Sequence, residues 1–118
     1  MKKLIIKKED LINNINIIKK IAEENKTNDE GVPYKIIGVV KGNGLGIGIV
    51  ELSKLLVENG INTLAVATVE EALQLRQAEI NAEILMLSST TLEDEIEQLI
   101  ENNIILTIGS ELARKNSK

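Results

Sequence analysis

A chain of 118 residues, 43% of them apolar, has room for one domain with one core, burying about 65% of its unfolded surface. Its 14 basic and 18 acidic residues leave a net charge of −4, and Tyr34 is the single aromatic residue. That excludes the basic face and stacking platforms of a nucleic-acid binder, and the absence of cysteine and histidine excludes disulfides, thiolate catalysis and the commonest metal ligand, so a cytoplasmic protein without a metal site is expected.

The amino terminus, Met1-Lys2-Lys3-Leu4-Ile5-Ile6-Lys7-Lys8, has an apolar core of three residues. This is too short for a signal peptide, and no run in the chain approaches the length of a membrane span. Leu11, Ile12, Ile15, Ile18, Ile21 and Ala22 recur at helical spacing and predict an amphipathic helix over 9–24. The polar stretch 25–33 combines turn formers with Pro33 and reads as a loop. Strands and helices then alternate. A strand over 35–41 precedes a helix over 48–58, with Leu52, Leu55 and Leu56 on one face and Asn59-Gly60 as a left-handed cap. A strand over 63–67 runs into Thr68-Val69-Glu70-Glu71, a capping box in which Thr68 and Glu71 satisfy each other's backbone donors. A strand over 83–87 leads through Ser88-Ser89-Thr90 to a helix over 92–101 whose buried stripe is Leu92, Ile96, Leu99 and Ile100; Ser88 and Ser89 are read as cap or turn residues in preference to ligand contacts. A strand over 104–108 and a helix starting at Ser110 end the pattern. Strands separated by helices imply a parallel sheet with right-handed crossovers, and such sheets gather ligands at their carboxyl edge, where Lys41, Thr68 and Ser88 lie.

Lys41 stands apart from the other lysines by its position. It closes the apolar run Ile36-Ile37-Gly38-Val39-Val40 and opens the glycine-spaced stretch Gly42-Asn43-Gly44-Leu45-Gly46-Ile47-Gly48. A lysine at the end of a buried strand, followed by backbone nearly bare of side chains, is suited to holding a ligand against a loop. Partial desolvation there favours the neutral amine, the form that makes a Schiff base. Two phosphate motifs fail on the same residues. The dinucleotide fingerprint needs glycine where Ile47 and Ile49 stand, and in the P-loop the lysine follows the glycines instead of preceding them.

The segment Val39-Val40-Lys41-Gly42-Asn43-Gly44-Leu45-Gly46-Ile47-Gly48 resembles the cofactor-lysine motif of the alanine racemase family, V-V-K-A-N-A-Y-G-H-G. The run from Thr63 to Arg76 is similar to that family's next strand and helix, F-A-V-A-T-L-E-E-A-L-E-L-R, and the resemblance extends over about residues 35–110. It implies an α/β fold of parallel β/α units forming about half of a TIM-type (β/α)8 barrel, a barrel that takes roughly 250 residues when complete. Residues 1–118 are then expected to be a partial amino-terminal barrel domain without the family's carboxyl-terminal β domain. The implied cofactor is pyridoxal phosphate, the substrate an amino acid, and Lys41 both the catalytic residue and the Schiff-base anchor.

Several positions depart from the family pattern. Leu45 stands where a family tyrosine helps hold the cofactor phosphate, Ile47 where a histidine is usual, and Glu79 where a glycine usually closes the helix. The second catalytic base of the family is a tyrosine from the partner subunit's carboxyl-terminal domain, and nothing in the motif maps it onto Tyr34. Two readings follow: the amino-terminal segment of an alanine racemase, inactive on its own, or a non-catalytic half-barrel that keeps the cofactor lysine or serves as an interaction module. Related decarboxylases on the same barrel are a weaker enzyme alternative. Open edges on half a barrel imply a homo-oligomer or a missing complementary half.

Overall fold

The structure is a computed structural model, and it describes residues 8–24, 35–42 and 48–108. It divides into two compact units, one over 1–36 and one over 37–118. The first unit holds α1 (Lys8–Glu24), which matches the expected helix to within one residue. Its expected stripe is only partly buried: Ile15 is covered, whereas Ile18 and Ile21 are exposed.

The second unit is built from β1 (Gly38–Val39), α2 (Ile49–Glu58), β2 (Thr63–Val66), α3 (Val69–Gln77), β3 (Glu83–Met86), α4 (Glu93–Glu101) and β4 (Ile104–Ile105). The strands form one parallel sheet in the order β1-β2-β3-β4, so every neighbour in sequence is a neighbour in space. This is the β/α succession of a barrel wall, four of the eight strands that a closed one uses. The helix expected from Ser110 lies outside the described residues, as do Tyr34 and Leu45.

Register explains which residues make the core. Gly38, Leu64, Ile84 and Ile104 form one row across the sheet and Val39, Ala65, Leu85 and Ile105 the next, on the opposite face. The first row meets the helices. A Cβ added to Gly38 would sit 2.7 Å from Cδ1 of Leu56, so α2 packs on β1 more closely than any side chain at 38 allows. Leu52, Leu55 and Leu56 of α2 are buried as expected, and so are Leu64, Leu75, Ile84 and Leu99. In the second row Ala65 is fully buried, while Val39 and Ile105 on the outer strands are exposed.

The outer strands are shorter than expected, and among the described residues each is paired along one side. β1 covers two residues of the expected 35–41, although Val40 N–H still donates to the Ala65 carbonyl at 2.9 Å. The stripe expected on α4 also needs correction. Leu99 is buried, but Leu92 and Ile100 are each 59% exposed. Leu92 precedes the first helical turn as its N-cap residue, and Ile100 lies about 100° round the helix from Leu99, away from the sheet.

Candidate functional site

Lys41 follows the last ladder bond of β1, at the carboxyl edge of the sheet, where an anchoring lysine was expected. Its side chain is exposed, so the shielding from water expected for it is not supplied by the described residues. The neighbouring Gly42 has φ +76, a left-handed conformation that glycine adopts without a Cβ penalty. Among the described residues, nothing lies within 4 Å of where its Cβ would be. Leu45, the departure expected to weaken a phosphate contact, lies outside the described residues.

Glu71 holds this corner together. The expected capping box is present: Thr68 Oγ1 accepts from Glu71 N–H at 3.1 Å, and Glu71 Oε1 accepts from Thr68 N–H at 3.1 Å. The same Oε1 also accepts from Ala67 N–H at 2.8 Å. The other oxygen, Oε2, reaches a different loop and accepts from Gly42 N–H at 2.5 Å. One carboxylate therefore ties the start of α3 to the residue after Lys41, 29 positions earlier in the chain. The helix start and the loop share an anion, and both benefit, since a carboxylate in the first turn also meets the positive end of the helix dipole.

The remaining strand ends are tied in the same fashion, each to the one before it. Ser88 Oγ donates to the Ala67 carbonyl, joining the end of β3 to the end of β2. Thr107 Oγ1 donates to the Met86 carbonyl at 2.9 Å, with the Leu87 and Ser88 carbonyl oxygens each 3.2 Å away. Thr90 Oγ1 accepts from Leu92 N–H at 3.1 Å and donates to Glu95 at 2.6 Å, which caps α4 where Leu92 has no hydroxyl to do so. The Ser88 hydroxyl thus serves neither a helix cap nor a local turn, the roles expected for Ser88 and Ser89, but a tie between two strand ends; the capping hydroxyl is that of Thr90. Between these loops lies a hollow lined by Thr68, Glu70, Met86, Ser88, Ser89 and Glu95, among others. Thr68 and Ser88 thus share one hollow, whereas Lys41 is connected to them through Gly42 and Glu71.

Two contributions were not foreseen from the sequence. One is the reach of Glu71 to Gly42, for which the acidic first turn was the only local signal. The other is Arg76 in the last turn of α3, whose guanidinium donates to four backbone carbonyls: Nε to Asn102 at 2.8 Å, Nη1 to Ile80 and Ala82 at 2.9 Å each, and Nη2 to Asn103 at 3.0 Å. Partial burial lowers its pKa from the ordinary arginine value through desolvation. Among the described residues, no three His, Cys, Asp or Glu side chains gather as a metal site requires, and no helix is long and apolar enough to cross a membrane.

The sequence and the fold are similar to those of known proteins. An alanine racemase of Methanococcus maripaludis is 44% identical over 98 residues, which are 83% of this chain and 24% of that protein. An "Alanine racemase 2" of Caldanaerobacter subterraneus is 38% identical over 99 residues, 84% of this chain and 23% of its own. Among solved structures, the alanine racemase of Clostridium difficile superposes with a TM-score of 0.65 at 35% identity, over 87% of this chain and 27% of that one. The E. faecalis alanine racemase superposes with a TM-score of 0.69 at 26% identity, over 95% of this chain and 28% of its own. This chain spans about a quarter of the length of the curated relatives it matches. The sequence pattern of the family described as "Alanine racemase, N-terminal domain" matches residues 6–115, nearly the whole chain, and the chain belongs to that family.

Proposed function

We propose that this chain is the cofactor-anchoring part of an amino-acid racemase, with Lys41 as the residue that takes pyridoxal phosphate and alanine as the substrate class its relatives' names indicate. The observation that carries the reading is the exposed Lys41 amine at the carboxyl edge of the sheet, beside the left-handed backbone of Gly42. Bound pyridoxal phosphate supplies an electron sink for the negative charge that develops at an amino acid's α-carbon. Lys41 would hold that group through its side-chain amine, the nucleophile placed at this end of β1 beside the backbone of Gly42. The same Nζ would be placed to take a proton from the substrate's α-carbon or return one to it. Racemisation needs a second acid–base group on the opposite face. With no histidine, no cysteine and a single tyrosine, this chain offers little for that role.

The test is to incubate the chain with pyridoxal phosphate, reduce the adduct with borohydride and map it by mass spectrometry. Lys41 is expected to carry most of the label, and Lys41→Ala to lose it. Label spread evenly over the lysines, or total label unchanged in Lys41→Ala, would overturn the assignment.

A further inference from the structure

We infer that Glu71 is the positioning residue for Lys41, an inference that rests on the reading of Lys41 as the cofactor anchor. Its two carboxylate oxygens divide the work. Oε1 serves the local cap through Thr68 and Ala67, and any capping box would need that much. Oε2 is not needed for the cap. It holds the N–H of Gly42, the residue bonded directly to Lys41, from a helix 29 positions further along the chain. Gly42 sits in a left-handed turn, and among the described residues nothing lies within 4 Å of where its Cβ would be, so no described side chain packs against the turn. The hydrogen bond to Oε2 holds it, and thereby sets the direction in which the Lys41 side chain leaves β1. The adjacent Glu70 is exposed, and no corresponding tie is made by it among the described residues, so the role belongs to one acid of the pair.

This division makes a specific prediction for Glu71→Gln. Glutamine has a single carbonyl oxygen and an amide that only donates. It can complete the capping box, as glutamine does at that position, but it then points a donor at the Gly42 N–H. The cap survives and the tie to the lysine loop is lost. Glu71→Ala removes both, and any positioning effect must appear there at least as strongly.

Two readouts separate this inference from the proposed function. The first needs no ligand: amide exchange and 15N relaxation in the full chain at Lys41, Gly42, Ala67 and Thr68. In Glu71→Gln, exchange at Gly42 is expected to rise about fivefold, the factor that one net hydrogen bond supplies, with Ala67 and Thr68 unchanged. The second is Lys41's share of the borohydride-reduced pyridoxal phosphate adduct, which is expected to fall toward that of the other lysines in both variants. Arg76→Lys serves as a control, because it weakens the chain at the opposite end of α3 and leaves both readouts as in the wild type.

Unchanged exchange at Gly42 in Glu71→Ala would overturn the inference. So would faster exchange with an undiminished Lys41 share. A wild-type chain in which Lys41 is not the preferred lysine would instead sink the proposed function, and the ligand-free exchange data would still decide whether Glu71 orders the Lys41 loop.

Discussion

The two edges of the sheet are held by opposite means. At the carboxyl edge, where Lys41 lies, one side chain spans each gap between strand ends: Glu71, then Ser88, then Thr107, all through exposed or half-buried polar contacts. At the amino edge, three helices end in the same way. The carboxyl-terminal residues of α2, α3 and α4 run Leu56 to Ile61, Leu75 to Ile80 and Leu99 to Ile104, and all six of these apolar residues are buried. In the first two, the isoleucine N–H bonds back to the leucine carbonyl, Ile61 to Leu56 at 2.9 Å and Ile80 to Leu75 at 3.0 Å, around a left-handed residue. Those are Schellman closures with their apolar clasp. Arg76 then joins the ends of α3 and α4 through four carbonyls. One edge carries the stability. The other keeps its loops on single hydrogen bonds, which leaves the backbone beside Lys41 accessible to a ligand.

The strongest way to break that contrast is Arg76→Ala. It removes one charged donor group from four carbonyls, and the expected loss is roughly 2 to 3 kcal/mol, lowering the melting temperature by on the order of 10 °C. Lysine cannot replace the planar fork, so Arg76→Lys is expected to recover only part of it. Thermal unfolding followed by circular dichroism measures the change. A loss below about 0.5 kcal/mol would mean that the amino edge does not depend on this residue.

A smaller effect, of opposite sign, is expected where the three helix closures differ. The left-handed position is Gly60 after α2, Glu79 after α3 and Asn103 after α4, with φ of 88, 62 and 57. Glycine adopts this conformation freely and asparagine tolerates it, but for glutamate it costs about 1 to 2 kcal/mol. Glu79→Gly relieves that strain and loses some of the gain to the greater freedom of the unfolded chain. The net expectation is a stabilisation of about 0.5 to 1 kcal/mol, read as a shift in the urea midpoint with the slope unchanged. A destabilised variant would show that Glu79 makes a contribution which outweighs its backbone strain.

These helix ends also mark what could be read from the chain. Asn59-Gly60 signalled a left-handed cap and Thr68 with Glu71 a capping box because both motifs are local, and both formed. Glu79 raised the question of a positive φ without answering it, since only the two Schellman bonds around it show that the turn did not rearrange. Strand order followed from alternation, and the buried residues of α2 from their spacing. Four features could not be read. Backbone carbonyls carry no sequence signature, so the four partners of Arg76 were invisible. A 29-residue separation hides the reach of Glu71 from any local pattern. The lengths of β1 and β4 depend on pairing across the sheet, and the exposure of Ile100 on which flank of α4 is covered, and both are tertiary facts.

The smallest expected effect tests the interior between the two edges. Ser53 lies in α2 and is fully buried, and among the described residues its hydroxyl has no hydrogen-bond partner. A buried hydroxyl without a partner forfeits its hydration, and serine is also a poorer helix former than alanine. Full burial argues for keeping the position small, because a larger side chain would overpack it. Ser53→Ala meets both demands: it removes the unpaired oxygen and adds no volume. The expected outcome is a gain of about 0.5 kcal/mol in urea unfolding, with α2 unchanged in its amide exchange pattern. A loss of 1 kcal/mol or more would show that the hydroxyl is hydrogen-bonded in solution, and the interior, like the carboxyl edge, would then rely on a polar tie.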